Sequence, residues 1–154
     1  LHGFIGNDVP KVDADSAIKM YKSVGRAMDD SFIESCHDCS DGGLGIALAE
    51  SAFSGGLGAD IDLSKISKKG IDRNDHLLFS ESQSRFVVSI KPENKVKFEE
   101  MMEGNVFSEV GKVIDEPMFI VKKLNQEIEK IGLQILKESW QKLLRFDLPL
   151  ENIR

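Results

Sequence analysis

The stretch His37-Asp38-Cys39-Ser40-Asp41-Gly42-Gly43-Leu44 sets two carboxylates, a hydroxyl and two glycines between unlike neighbours. Upstream, Ser31–Cys36 is short and partly apolar through Phe32 and Ile33, which predicts a buried strand. Downstream, Leu44 to Phe53 is apolar nearly all round, which predicts a buried helix. Gly42 and Gly43 permit a positive φ or a close backbone approach. The helix start leaves N–H groups unpaired at the positive end of its dipole, which suits a phosphate. Ser40, Asp41, Gly42 and Gly43 are therefore candidates for binding substrate or a nucleotide phosphate. Asp38 and Asp41 carry hard oxygens of the kind that hold Mg2+. The same residues also make an ordinary helix start, with Ser40 or Asp41 as N-cap, the glycines as a tight turn and Asp38 in solvent. Spacing alone leaves both readings open.

Toward the N-terminus, Asp13 or Asp15 caps a helix running to about Asp30, with Ala17, Tyr21, Val24 and Met28 on one face. Leu1–Lys11, rich in Gly and Pro, leads into it. Toward the C-terminus, Gly55, Gly56 and Gly58 end the apolar helix and open an alternating strand, Ala59–Leu63. Ser64–Asn74 is basic and polar, a surface connection. Ser84–Ile90 predicts a central strand with Phe86, Val88 and Ile90 on one face and Val87 on the other. Pro92 suits the first turn of a helix to about Gly104, with Val96 and Phe98 inward. Val106–Ile114 and Met118–Leu124 predict a hairpin joined at Asp115-Glu116-Pro117. A long last helix, Gln126–Leu144, carries Ile128, Leu133, Leu136, Trp140 and Leu143. The expected fold class is α+β, a mixed β-sheet flanked by helices.

A second polar stretch, Glu81-Ser82-Gln83-Ser84-Arg85-Phe86, abuts the strand predicted at Ser84–Ile90. Glu81 can accept from a hydroxyl or bind a metal, Gln83 can clamp an amide, and Arg85 can pair with a phosphate. Glu81, Ser82, Gln83 and Arg85 join the candidate binding residues. The plain alternative is a surface Arg85–Glu81 ion pair of small consequence.

Composition narrows the classes. At 154 residues, with 41% hydrophobic and 30% charged, the chain fits one globular domain, residues 1–154. A net charge of −6 argues against nucleic acid as partner. No apolar run nears the ~20 residues that span a bilayer, so no membrane partner is expected. The chain starts at Leu1 without an initiator Met, from which a processed product or an excised piece of a longer chain is expected. Two cysteines are too few for a secreted disulfide framework, and a reducing, cytoplasmic setting follows. Cys36 and Cys39 satisfy C-x-x-C, which raises thiol redox chemistry as a minor alternative. Zinc would need further ligands, and His2, His37 and His76 lie apart along the chain.

Taken together, the two polar stretches resemble those of the C-terminal domain of the aminoimidazole ribonucleotide synthetase superfamily. Within it the likeness is to the second C-terminal-type domain of the phosphoribosylformylglycinamidine synthase branch. Val9-Pro10, Ser35 through Leu44, Ala49-Glu50 with Phe53 and Gly56 through Leu63 stand in family order. So do Leu78 through Phe86, Gly111-Lys112-Val113 and Leu136-Lys137-Glu138-Ser139-Trp140. The resemblance implies a C–N ligase of de novo purine biosynthesis. It would turn formylglycinamide ribonucleotide, ATP and glutamine-derived ammonia into formylglycinamidine ribonucleotide, with ATP and Mg2+ as cofactors. The implied partners are the N-terminal domains of a parent chain and a glutaminase. It implies no catalytic residue within these residues, and an inactive fragment. A non-catalytic scaffold of the same or a related synthetase or kinase is the alternative.

Overall fold

The computed structural model describes residues 11–68, 70–71 and 73–142. They form α1 (Ala14–Asp29), β1 (Ser35–Asp38), α2 (Gly43–Gly55), β2 (Gly58–Asp62), α3 (Asn74–Phe79) and β3 (Phe86–Ser89). These are followed by α4 (Lys95–Met101), β4 (Gly111–Ile114), β5 (Met118–Lys123), β6 (Gln126–Gly132) and α5 (Leu133–Lys142). The fold is α+β, as expected. Among the described residues the strands make an antiparallel pair, β1–β3, and a mixed four-stranded sheet in the order β4-β2-β5-β6. Of the opening Leu1–Lys11, all but Lys11 lies outside the described residues. Two compact units emerge. One holds the described residues to Ala47 with Ser67–Ser108, the other Leu48–Ile66 with the described residues from Glu109.

In the first unit, Asp13 caps α1 and accepts a hydrogen bond from the Ser16 N–H at 3.1 Å. Val24 and Ala27 of α1 bury against Phe98 and Met102, with Met20, Phe32, Ile33, Val88 and Ile90 packed around them. The expected α1 face needs correction, because Tyr21 and Met28 remain 48% and 45% exposed. The buried stripe runs through Ala17, Met20, Val24 and Ala27, and Tyr21 and Met28 sit about 100° further round. Val96 is likewise exposed while Phe98 is buried. Positions two apart on a helix face nearly opposite ways.

The strand expected at Ser31–Cys36 forms instead at Ser35–Asp38. Ser31 takes φ 58°, and the N–H groups of Ser31 and Phe32 bond back to Met28 and Ala27, so the turn after α1 uses up these residues. His37 and Asp38 therefore belong to β1. β3 is shorter than expected, and among the described residues its one partner is β1 rather than a strand on each side.

In the second unit, β2 runs antiparallel to β4 and parallel to β5. The expected Val106–Ile114/Met118–Leu124 hairpin is absent: β4 and β5 are consecutive in sequence but flank β2. The connection at Asp115–Pro117 passes the start of β2, where Gly58 makes room for it. A Cβ there would overlap the Glu116 carbonyl and lie 2.5 Å from that of Met118.

The real hairpin joins β5 to β6 through Leu124 and Asn125, at φ 53° and 65°. Both signs suit a two-residue type I′ turn. Gln126–Gly132 is thus strand, and the predicted helix begins only at Leu133. Ile128 is an exposed strand residue, and Leu143 and Leu144 lie outside the described residues. On α5, Trp140 packs against Phe53 of α2, with ring centroids 5.8 Å apart. Among the described residues no helix is long and apolar enough to cross a membrane.

Candidate functional site

β1 and β3 decide the geometry. Their pairing sets Cys36 opposite Val88 and Asp38 opposite Phe86. The ladder runs one step further, with the Cys39 N–H donating to the Arg85 carbonyl at 3.0 Å. The two polar stretches, some forty residues apart in sequence (on the loop-closure view a modest extra cost), are thereby drawn together. Asp38, Ser40, Glu81, Ser82, Gln83 and Arg85 line one concavity of about 300 Å³, with Tyr21, Cys39, Ser84 and Phe86 completing its wall.

Asp41, Gly42 and Gly43 are not in that lining. Gly42 and Gly43 adopt φ +76° and +71°, the left-handed region that favours glycine. The Gly42 N–H donates to Glu81 Oε1 at 2.8 Å, so the anion at the head of α2 is the chain's own carboxylate. Gly43 is buried, and a Cβ there would lie 2.6 Å from the Ser80 carbonyl oxygen and 2.9 Å from that of Leu78. Its small size serves the close approach of backbone to backbone. Asp41 is exposed.

The loop from Ser80 to Arg85 is held at its ends. Arg85 Nη1 donates to both the carbonyl and the hydroxyl of Ser80, each at 3.1 Å, rather than to Glu81. Ser84 takes φ +60°, unusual for a non-glycine, and its Oγ lies 2.7 Å from the Tyr21 hydroxyl. The Tyr21 ring meets Phe86 edge-on at 5.7 Å. Ser82 and Gln83 hydrogen-bond to no other described residue and face the concavity. Tyr21 is the wall residue that sequence reading missed, since its spacing sets it on one face of α1 with Ala17 and Val24. A polar tip on the rim of an amphipathic stripe is the signal that marks such a position.

Electrostatics at the site follow from its bonds. The Ser40 hydroxyl bonds the Asp38 carboxylate and lowers its pKa, with the residue's own N–H and His37 adding to the effect. Burial raises the pKa of the Cys36 thiol, and Asp38 raises it further. Burial also raises that of Cys39, against the opposing pull of Arg85. Both thiols are free and disfavoured as thiolates, the reverse of what redox cysteines need. Among the described residues, no three His, Cys, Asp or Glu side chains gather as a metal site.

The family model for AIR synthase related protein, C-terminal domain, matches residues 2–123. The phosphoribosylformylglycinamidine synthase subunit PurL of Lactobacillus helveticus is 38% identical over 120 residues, 78% of this chain and 15% of that protein. This chain therefore spans about 15% of the length of that curated relative. Among solved structures, Thermotoga maritima PurL complexed with ATP is similar at TM-score 0.70 and 25% identity, over 77% of this chain and 21% of that one. The same protein complexed with FGAR is similar at TM-score 0.77 and 23% identity, over 88% of this chain and 23% of that one, a likeness of fold. With most of its length matched by the family model, this chain belongs to the family of AIR synthase related proteins, as a C-terminal domain.

Proposed function

We propose that this chain is a single domain of a longer phosphoribosylformylglycinamidine synthase, working in purine biosynthesis in the cytoplasm. The family model, over residues 2–123, takes in the first compact unit and part of the second, which supports treating them as one domain. Two free thiols suit a reducing compartment. The observation that carries the reading is the β1–β3 pairing, which gathers Asp38, Ser40, Glu81, Ser82, Gln83 and Arg85 around one concavity.

In the reaction proposed for the parent enzyme, the amide oxygen of formylglycinamide ribonucleotide attacks the γ-phosphorus of ATP and ADP leaves. Ammonia, supplied by a glutaminase partner, adds to the activated carbon. Phosphate departs with the amide oxygen, and loss of a proton leaves the amidine. This domain's part is positioning. Ser82 and Gln83 offer unspent donors and acceptors to substrate or nucleotide, while Gly42 with Glu81, and Arg85 with Ser80, hold the frame. Ser40 and Asp41 shape the turn between them. Magnesium does not fit as an ion held by this chain alone, since Asp38 stands in the concavity without Asp41 and no third ligand joins them among the described residues.

The test is Gln83→Ala in the full-length synthase. A lost hydrogen bond to a bound ligand should lower kcat/KM by about tenfold or more. A change within twofold would instead favour a scaffold that merely carries the remaining domains.

A further inference from the structure

We infer that Tyr21 is a positioning residue for the ligand site, holding the Ser82–Gln83 wall in place through the hydroxyl of Ser84. The inference rests on the reading of that wall as a substrate-binding surface. Three observations carry it. The loop is fixed at its ends by Glu81 to Gly42 and by Arg85 to Ser80, but both bonds leave its middle free. The middle is a thin partition: Gln83 and Ser84 line the main concavity and also a second one of about 190 Å³, walled by Val12, Asp13, Ser16 and Met20 near the start of α1. Open space on both sides means that packing does little to fix the partition. The third observation is the backbone itself. Ser84 sits at φ +60°, a conformation a non-glycine residue seldom holds without a reason outside itself.

The Tyr21 hydroxyl supplies that reason. It reaches Ser84 Oγ at 2.7 Å from a different element, sixty-three residues away in sequence. The Tyr21 ring is in turn steadied edge-on against Phe86, the first residue of β3. One side chain thus ties α1 to the loop and to the strand that follows. With the tie cut, Ser84 returns to an ordinary negative φ, and Gln83 and Ser82 turn with it. The Ser82 hydroxyl and the Gln83 amide that face the ligand are then misplaced, although neither has been removed.

This account separates the shape of Ser84 from its chemistry, and substitutions in the full-length synthase read the difference. Tyr21→Phe removes the tie, and Ser84→Ala removes it while keeping a Cβ that disfavours positive φ. Both should raise KM for the ribonucleotide substrate by about fivefold or more, with a smaller effect on kcat. Ser84→Gly also loses the hydroxyl but accepts positive φ without strain, so its KM should rise clearly less than that of Ser84→Ala. In the Tyr21→Phe background it should restore most of the lost affinity. Equal losses for Ser84→Ala and Ser84→Gly would overturn the inference, since the hydroxyl would then be touching ligand. A silent Tyr21→Phe beside a damaging Gln83→Ala would overturn it too, while leaving the binding surface intact. If Gln83→Ala is also silent, the binding-surface reading itself fails and this inference falls with it. Should Tyr21→Phe fold poorly, the Ser84→Ala and Ser84→Gly contrast decides alone.

Discussion

Asp62 accepts hydrogen bonds from the Ser64 N–H at 2.8 Å, the Ser64 hydroxyl at 2.6 Å, and the Leu124 and Asn125 N–H groups at 3.2 and 3.1 Å. It is the buried carboxylate among the described residues of the second unit, at the end of β2. These donors favour the ionised form, with Ser64 contributing most, and bring its pKa down to about 2 from 3.8. The folded-state value lies below the unfolded one, so the stabilisation is complete above the unfolded pKa of 3.8 and is lost as pH falls through about 2. Urea titrations at pH 7 and at pH 3 should show the wild-type protein weakened at the lower pH. Asp62→Asn should be weaker at pH 7 and should lose less between the two. Equal losses in both proteins would show that this carboxylate does not govern acid sensitivity. None of this was legible beforehand, because Asp62 reads as the polar end of an alternating strand. Ser64 is two residues away, but its other donors, Leu124 and Asn125, lie some sixty residues on, in a turn that no usual turn sequence announces. By contrast, Asp13, whose partner is three residues away, was legible as a cap.

At the scale of elements, what could be read was what depends on near neighbours. α1 and α2 declare themselves through caps, glycines and apolar periodicity, and both form close to where the pattern places them. β6 did not, because Gln126-Glu127-Ile128-Glu129-Lys130 are mostly good helix formers lying directly before a true helix. Pairing of six of its seven residues with β5, around a bulge at Ile128, overrides that propensity. Its turn lacks the usual Asn-Gly, with Leu124 and Asn125 at positive φ instead. The β4–β5 connection misleads for a related reason: a short Asp-Glu-Pro link implies a hairpin unless a third strand is known to lie between. Gly58 is what permits that arrangement. Gly58→Ala would push a methyl group into the Glu116 and Met118 carbonyls, which are backbone and cannot turn aside. We expect it to cost about 3 kcal/mol by overpacking, seen as a lower urea midpoint at an unchanged slope. Gly55→Ala, with nothing within 4 Å of the added carbon, is the matched control and should change little. A tolerated Gly58→Ala would mean that the link does not cross β2 as described.

On the scale of the whole molecule, the candidate site was legible where its two stretches flank strands that pair, and illegible where α1 contributes. Asp38, Ser40 and Glu81 through Arg85 are joined by a β-ladder, which short apolar runs announce. Tyr21 enters through tertiary packing, of which the sequence shows only the polar tip beside an apolar stripe and not the partner. What these residues build is one wall. The concavity holds about 300 Å³, near the lower end for a small-molecule pocket, and Arg85, the one cation in its lining, is engaged with Ser80. A triphosphate brings several negative charges that this lining, with Asp38 and Glu81, does not neutralise. The chain also spans only 15% of its curated relative. The purified 154-residue protein should therefore show no formation of formylglycinamidine ribonucleotide from formylglycinamide ribonucleotide, ATP and ammonia. The assay is ADP release dependent on the ribonucleotide, run on material shown by circular dichroism to be folded. Turnover above the no-enzyme background would mean that the wall described here is a complete active site. Its absence, together with activity regained when the missing length of the synthase is restored on the same chain, would place the phosphate-binding charges in the remainder of the enzyme.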